Sequence, residues 1–309
     1  MPIIHARRCA DLRGYLTLGE GPIWDDVASR LLWVDIAEGL LYEGSLAGDR
    51  IEIRGRRAFG ESVGAVALAH DGGLLVAGAR RLHLIDAQGQ DSGSVRLLDA
   101  DRASRLNDAI CDPAGRFLVG TLALDGRRGS ERVFQVDAEL GVVEIVSGLT
   151  LANGMGFSPD GATWYLVDSI PGAIHAFEYD VATGRLGDRS TIWSSDGLIP
   201  DGLTVDADGN LWVAFFGAGE VHCFTPTGEV VRRVTVPAPN TTCPAFVGPD
   251  LDRLLITTAR EQLTAEQLSQ WPDSGELFLA EPGVRGLPVD RWSGSTVGKT
   301  VDDSRTHEA

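Results

Sequence analysis

Short apolar runs recur along the chain, each entered through a tight polar turn and followed by a second apolar run. LLWVDI, LLVAGA, RFLVGTL, TWYLVDS, NLWVAFF and RLLITTA follow turns rich in Asp, Gly, Pro or Ser; LLYEGSL, RLHLID, RVFQVD, AIHAFEYD, EVHCF and ELFLA come next. Their β-branched and aromatic content predicts strands. Taking Asp26, Asp71, Asp112, Asp160, Asp208 and Asp250 as turn markers, the spacings are 45, 41, 48, 48 and 42 residues. A strand-rich repeat with a period in the forties indicates a propeller or a β array. A more polar segment precedes the inner strand of each copy after the first: IEIRGRRAF, SVRLLDA, GVVEIVSGL, RSTIWSS and VVRRVTV. The sixth such segment is found at the start of the chain, as Leu12–Leu18. The pattern therefore predicts an all-β, six-bladed propeller of four-stranded blades, closed by an N-terminal strand joining the last blade. Closure removes the open sheet edges that a linear array would leave. The alternative is an irregular N-terminal arm.

No Gly/Ser/Pro-rich linker divides the 309 residues, so residues 1–292 are expected to form one domain, with 293–309 as a flexible tail. The 27 basic against 44 acidic residues give a net charge of −17, which disfavours nucleic acid and anionic membrane surfaces. The N-terminus has no apolar secretory core, and no stretch approaches the length of a membrane span. Cys9, Cys111, Cys223 and Cys243 lack paired spacing and read as free thiols, so a cytoplasmic location is expected. The sequence carries no signal for oligomeric state.

A propeller gathers the starts of its innermost strands around one axis. In repeat order the residues there are Glu20, the Ser62–Gly64 stretch, Asn107, Asn153, Asp201 and Cys243. Two carboxylates and two carboxamides, up to 181 residues apart (201 − 20), are thus predicted to converge at one end of the channel. Each taken alone is a residue type common before strands, because Asn and Asp bond the local backbone. Four oxygen donors in one register point further, to a divalent cation. The all-oxygen set, with no histidine, favours Ca²⁺, Mg²⁺ or Mn²⁺ over a closed structural zinc site.

The stretches GEGPIWDDVASRLLWVDI, SRLNDAICDPAGRFLVGT, LANGMGFSPDGATWYLVDS, IPDGLTVDADGNLWVAFFGAGEVHCF and PAPNTTCPAFVGPDLDRLLITTA together resemble the gluconolactonase / senescence marker protein (regucalcin) family, grouped with luciferin-regenerating enzymes. The resemblance runs from residue 19 to about residue 259. It implies a divalent cation held by Glu20, Asn153 and Asp201, with Ca²⁺ foremost and Mn²⁺, Mg²⁺ or Zn²⁺ as alternatives. It also implies that Arg105 and Asn107 contact the substrate, and that the reaction opens a lactone ring, most typically of a sugar acid. Asp201 is offered as the catalytic base, and it either takes a proton from the attacking water or only orients it. A phosphotriesterase or arylesterase on the same site, and a calcium-binding propeller without turnover, are the alternatives.

The chain departs from the family pattern at Ala123–Val133, a short segment carrying Arg127 and Arg128 where relatives have a longer loop. Asp125 is the candidate acidic contact there, and the two arginines are expected to alter the charge of the pocket toward an acidic or larger lactone. His175 and His222 occupy equivalent third-strand positions and read as structural.

Overall fold

The computed structural model describes residues 2–12, 15–195 and 197–297. Six sheets, each with four antiparallel strands, are arranged in chain order. Their innermost strands are Gly19–Asp25, Ala65–Leu68, Ser104–Cys111, Ala152–Phe157, Ile199–Val205 and Thr241–Val247. Each innermost strand packs against that of the next blade, and the sixth packs against the first, so the ring is closed.

Two N-terminal strands fasten it. Arg7–Arg8 pairs antiparallel with Phe278–Leu279 and is the outer strand of blade six, so the expected closure holds but through an earlier segment than Leu12–Leu18. Ile3–His5 runs parallel to Arg233–Thr235 and gives blade five a fifth strand. Leu12 and Leu16 are instead buried in the seam between blades six and one, and Leu18 bridges Ala259. Residues 13 and 14 lie outside the described residues. The physical reason for the difference is that an outer strand needs only backbone pairing, whereas leucines are placed where they exclude water.

The apolar alternation of the strands does not build one central core. Six clusters form, one at each seam between adjacent blades. Trp33, Trp164 and Trp212, from equivalent second strands, are fully buried in three of these seams. Burying a side chain of this size removes on the order of 150–250 Å² from water. The blades are therefore held to one another by the same residues that define the repeat.

Because each blade is antiparallel, its innermost strand starts at the end where the second strand finishes. The strand entrances and the connections between second and third strands consequently share one face of the ring. The opposite face is crossed by the chain from Arg285 to Thr296. Gly286 bridges Asp206, the Arg291 guanidinium bonds Asp25 and Asp26, and Trp292 bridges Ala69. Ser293 N–H donates to the Gly115 carbonyl, and Thr296 N–H to Asp71 at 2.6 Å. Ser293 to Thr296, assigned by sequence to the tail, are thus tied to blades two and three; residues 298–309 lie outside the described residues. Among the described residues no helix is long and apolar enough to cross a membrane.

Candidate functional site

The entrances are shaped by a repeated irregularity. The pairing of the innermost strand with its neighbour slips between Glu20 and Ile23, Leu106 and Ala109, Ala152 and Met155, Pro200 and Leu203, and Thr241 and Pro244. Such bulges re-aim side chains at a strand end. Blade two alone lacks one; its strand begins after Gly64, and it contributes no donor. The glycines that follow Asn153 and Asp201 serve close packing. A methyl group on Gly154 would fall on the carbonyl oxygen of Asp201 and the amide of Leu203, and one on Gly202 would fall on Cys243. Only glycine lets adjacent strands approach this closely, which brings neighbouring entrance residues within reach of one another.

The predicted residues do converge. Glu20, Asn107, Asn153 and Asp201 are all buried. Asn153 Nδ2 donates to Asp201 Oδ1 and to Ser169 Oγ, the latter at 3.2 Å. Glu20 Oε2 accepts from Gly21 N–H at 2.9 Å, and its other oxygen has no protein donor among the described residues. Arg105 Nη1 donates to Asn107 Oδ1 at 2.7 Å and to the Leu106 carbonyl at 2.9 Å. Asn107 Nδ2 in turn donates to the Ala152 carbonyl at 3.0 Å. Both ends of the Asn107 amide are therefore engaged: it holds Arg105 and anchors the entrance of blade four.

The electrostatics are those of crowded acids. Burial, then the negative charges of Asp201 and Asp108, push the Glu20 carboxyl well above the usual carboxylate range. Burial and Asp108 do the same to Asp201, against the opposing effects of Asn153 and Arg105. Burial pulls the Arg105 guanidinium down to about 10, while Glu261, Glu20 and Asp201 favour its charged form. The Cys243 thiol is pushed far up by burial and then by the charges of Glu20, Asp108 and Asp201.

Sequence reasoning missed Asp108. It sits within the blade-three bulge, its carboxyl is raised to about 6 by burial, and it lines the cavity behind the entrance. The acid directly after Asn107 was the available signal. Also missed were two supporting carboxylates at the ends of second strands. Asp35 accepts from the amides of Thr17 and Leu18, and Asp168 from those of Thr150 and Leu151. Each fixes the chain where it enters the strand bearing Glu20 or Asn153.

The arginine loop is arranged differently from the expectation. Arg127 bonds Asp125, Ser130, Ser104 and the buried Glu131, so it compensates an interior acid and is not a free charge facing the pocket. Asp125 is exposed and paired to Arg127. Arg128 is exposed. His175 accepts from Arg189 at 2.6 Å, and burial and that neighbour lower it to about 4, in keeping with a structural role.

Behind the entrances lies a cavity of about 610 Å³. It runs from Gly21, Asp108 and Cys243 to Leu287, Pro288 and Val289 on the crossing segment, and its walls are mostly apolar. Glu20, Asn153 and Asp201 do not line it, so the polar chemistry belongs to the mouth and not to the channel behind it.

Among the described residues no group of three or more His, Cys, Asp and Glu has metal-binding geometry. The convergent set differs in kind, being two carboxylates and a carboxamide. Two buried acids held above the usual carboxylate range by burial and neighbouring negative charge, with an amide oxygen beside them, fit a hard divalent cation.

A sequence profile of the SMP-30/Gluconolactonase/LRE-like region matches residues 18–260. The chain belongs to this family. It is 32% identical over 283 residues to regucalcin of Danio rerio, covering 90% of this chain and 95% of that protein. It is 31% identical over 290 residues to a Bacillus subtilis protein provisionally named sugar lactone lactonase YvrE, covering 92% and 97%. The solved structure of regucalcin from Agrobacterium tumefaciens, described as a calcium-binding protein, superposes with a TM-score of 0.85 at 29% identity, covering 94% of this chain and 99% of that one. The Agrobacterium structure and this chain thus share one fold over nearly their whole lengths.

Proposed function

We propose that this chain is a divalent-cation-dependent hydrolase that opens a lactone ring, with a sugar-acid lactone as the leading substrate class. The observation that carries the reading is the buried meeting of Glu20, Asn153 and Asp201 beside Arg105 at one mouth of the ring. Family membership and the lactonase name of the Bacillus subtilis relative support the same reaction class.

Glu20, Asn153 and Asp201 would hold the cation, and Ca²⁺ is the first candidate because the donors are all oxygen and the Agrobacterium relative is a calcium-binding protein. When bound, the cation supplies polarisation of the ester carbonyl and a lowered pKa for a coordinated water. Asp201 would take the proton as the water oxygen bonds to the carbonyl carbon. The ring C–O bond then breaks, and the proton returns to the departing alkoxide, leaving a hydroxy acid. Arg105 keeps Nε and Nη2 free of protein partners among the described residues, and these N–H groups can bind a carbonyl, a ring hydroxyl or the product carboxylate. Asn107 orients Arg105 through its Oδ1.

The test is a pH-stat screen of sugar lactones and of a phosphotriester, using metal-stripped protein with each divalent ion restored in turn. Cation-dependent acid release from a lactone is expected. Release from the phosphotriester alone would shift the assignment to a phosphotriesterase, and tight Ca²⁺ binding without any turnover would leave a calcium-binding propeller.

A further inference from the structure

Between the second and third strands of blade six, Arg253–Thr258 and Phe278–Ala280, the chain crosses the face that bears the strand entrances, and there it carries Glu261. The backbone of Glu261 is clamped from two sides. Its N–H donates to the Thr17 carbonyl at 2.9 Å, on the segment leading into Glu20. Its carbonyl accepts from Nδ2 of the buried Asn240 at 2.8 Å, just before the entrance strand of blade six. Gln262 then takes the left-handed conformation, with φ of 64°, and Leu263 N–H closes the turn on the Arg260 carbonyl at 3.1 Å. Left-handed backbone is uncommon outside glycine, so the turn that holds Glu261 at the rim is a constrained one.

The Glu261 side chain is half-buried, and its carboxylate has no hydrogen-bond or ion-pair partner among the described residues. The adjacent Arg260 is directed elsewhere, its guanidinium lying over the Tyr15 ring at 4.3 Å from the centroid. Other acids on this face are engaged: Glu38 accepts from Thr17, Glu61 bonds His83 and Glu220 bonds His222. Blades three and six stand opposite one another in a ring of six, yet Glu261 does more than Glu20 or Asp201 to favour the charged form of Arg105. No ion pair joins Arg105 to Glu261, so the space between them is wider than a direct contact. One wall of the mouth thus offers the N–H groups of Arg105 and the other a carboxylate acceptor. A molecule that bridges them must present an acceptor to the arginine and a donor to the acid. A lactone carbonyl or ring oxygen supplies the first and a hydroxyl the second, whereas an anionic substituent beside Glu261 meets like charge.

We propose that Glu261 contacts the substrate, accepting a hydrogen bond from a hydroxyl of the lactone and disfavouring lactones that carry a carboxylate at that position. This rests on the lactonase reading above and narrows its substrate class to neutral, hydroxylated lactones.

The test uses the full chain with Ca²⁺ and three lactones of one ring size: unsubstituted δ-valerolactone, glucono-δ-lactone, and glucaro-δ-lactone, which adds a carboxylate. The parent is expected to show its highest kcat/KM on glucono-δ-lactone. In Glu261→Ala the ratio of glucono-δ-lactone to δ-valerolactone rates should fall about tenfold, the scale of a half-exposed hydrogen bond to a charged group. Glu261→Gln keeps an acceptor oxygen and removes the charge, so it should retain most of that ratio while the relative rate on glucaro-δ-lactone rises several-fold. Ratios taken within each variant cancel differences in the amount of folded enzyme. Ca²⁺ affinity by calorimetry should change by less than about threefold, because a partly exposed charge outside the donor set is screened. If the parent prefers δ-valerolactone, if both variants keep the parental ratios, or if all three lactones lose rate together, Glu261 does not contact substrate; the proposal is overturned and the lactonase reading stands. A loss of Ca²⁺ affinity of about tenfold or more would place Glu261 in support of the cation and overturn the proposal equally. If the parent opens no lactone of any kind, both readings fall.

Discussion

Arg105→Ala separates substrate handling from cation binding. Arg105 lies beside Glu20 and Asp201, yet its own hydrogen bonds go to Asn107 and Leu106, so it does not build the cation site. Removing it deletes one positive charge next to two acids, and cation affinity should hold or strengthen. The substrate loses a charge-assisted contact worth about 1.5–3 kcal/mol. At about 1.4 kcal/mol per tenfold, kcat/KM on the best lactone should fall roughly tenfold to 150-fold. A rise in KM alone would mean that the contact forms equally in ground and transition states, and a fall in kcat that it strengthens as charge develops on the carbonyl oxygen. Initial rates from a pH-stat and cation titration by calorimetry on the same preparation measure both quantities. Parental kinetics, or loss of the cation, would refute the role given to Arg105.

Three further outcomes follow from the fold. Deleting residues 1–10 strips the outer strand of blade six and the fifth strand of blade five, and should lower the thermal midpoint by several degrees; an unchanged midpoint would disprove closure by Arg7–Arg8. Glu276 is buried, accepts from Leu12 N–H, and is raised to about 7 by that burial. The folded state therefore keeps a proton that the unfolded chain releases, so this group's contribution to stability declines as pH rises from about 4.5 to 7, by about 3 kcal/mol in all. Denaturant titrations of Glu276→Gln should show a flatter pH profile than the parent; parallel profiles would contradict the burial argument. Gly154→Ala should cost about 2 kcal/mol by overpacking and weaken the cation response, because the new methyl displaces Asp201, whereas Gly55→Ala meets no neighbouring atom and should be silent in the same melting assay.

The repeat was legible because each blade spells out its own turn and its two apolar strands, and because seam packing demands those residues in every copy. The entrance register was legible for the same reason, which is how Glu20, Asn107, Asn153 and Asp201 could be grouped across the chain. Contacts that depend on backbone pairing alone left less trace. Arg7–Arg8 carries no apolar signal, while Leu12–Leu18 carries a strong one, and its Leu12 and Leu16 are used as seam filling. The crossing segment Arg285–Thr296 is held mainly by backbone bonds and by carboxylates of distant turns, which no local pattern announces. Bulges are equally silent in sequence, and so Asp108 was passed over beside Asn107. The Arg127 charge was visible, but its partner Glu131 could be recognised only once the strand brought that acid inside.

The most direct test of the account is lactone opening by metal-stripped protein before and after Ca²⁺ is restored, run beside Asp201→Asn. The substitution preserves shape and removes one of the two buried acids that would hold the ion. The parent should be inactive without the cation and recover with it, and Asp201→Asn should bind Ca²⁺ at least about tenfold more weakly and remain inactive at saturating ion. Full activity in the stripped parent, or parental activity and affinity in Asp201→Asn, would contradict the assignment of the reaction to this mouth.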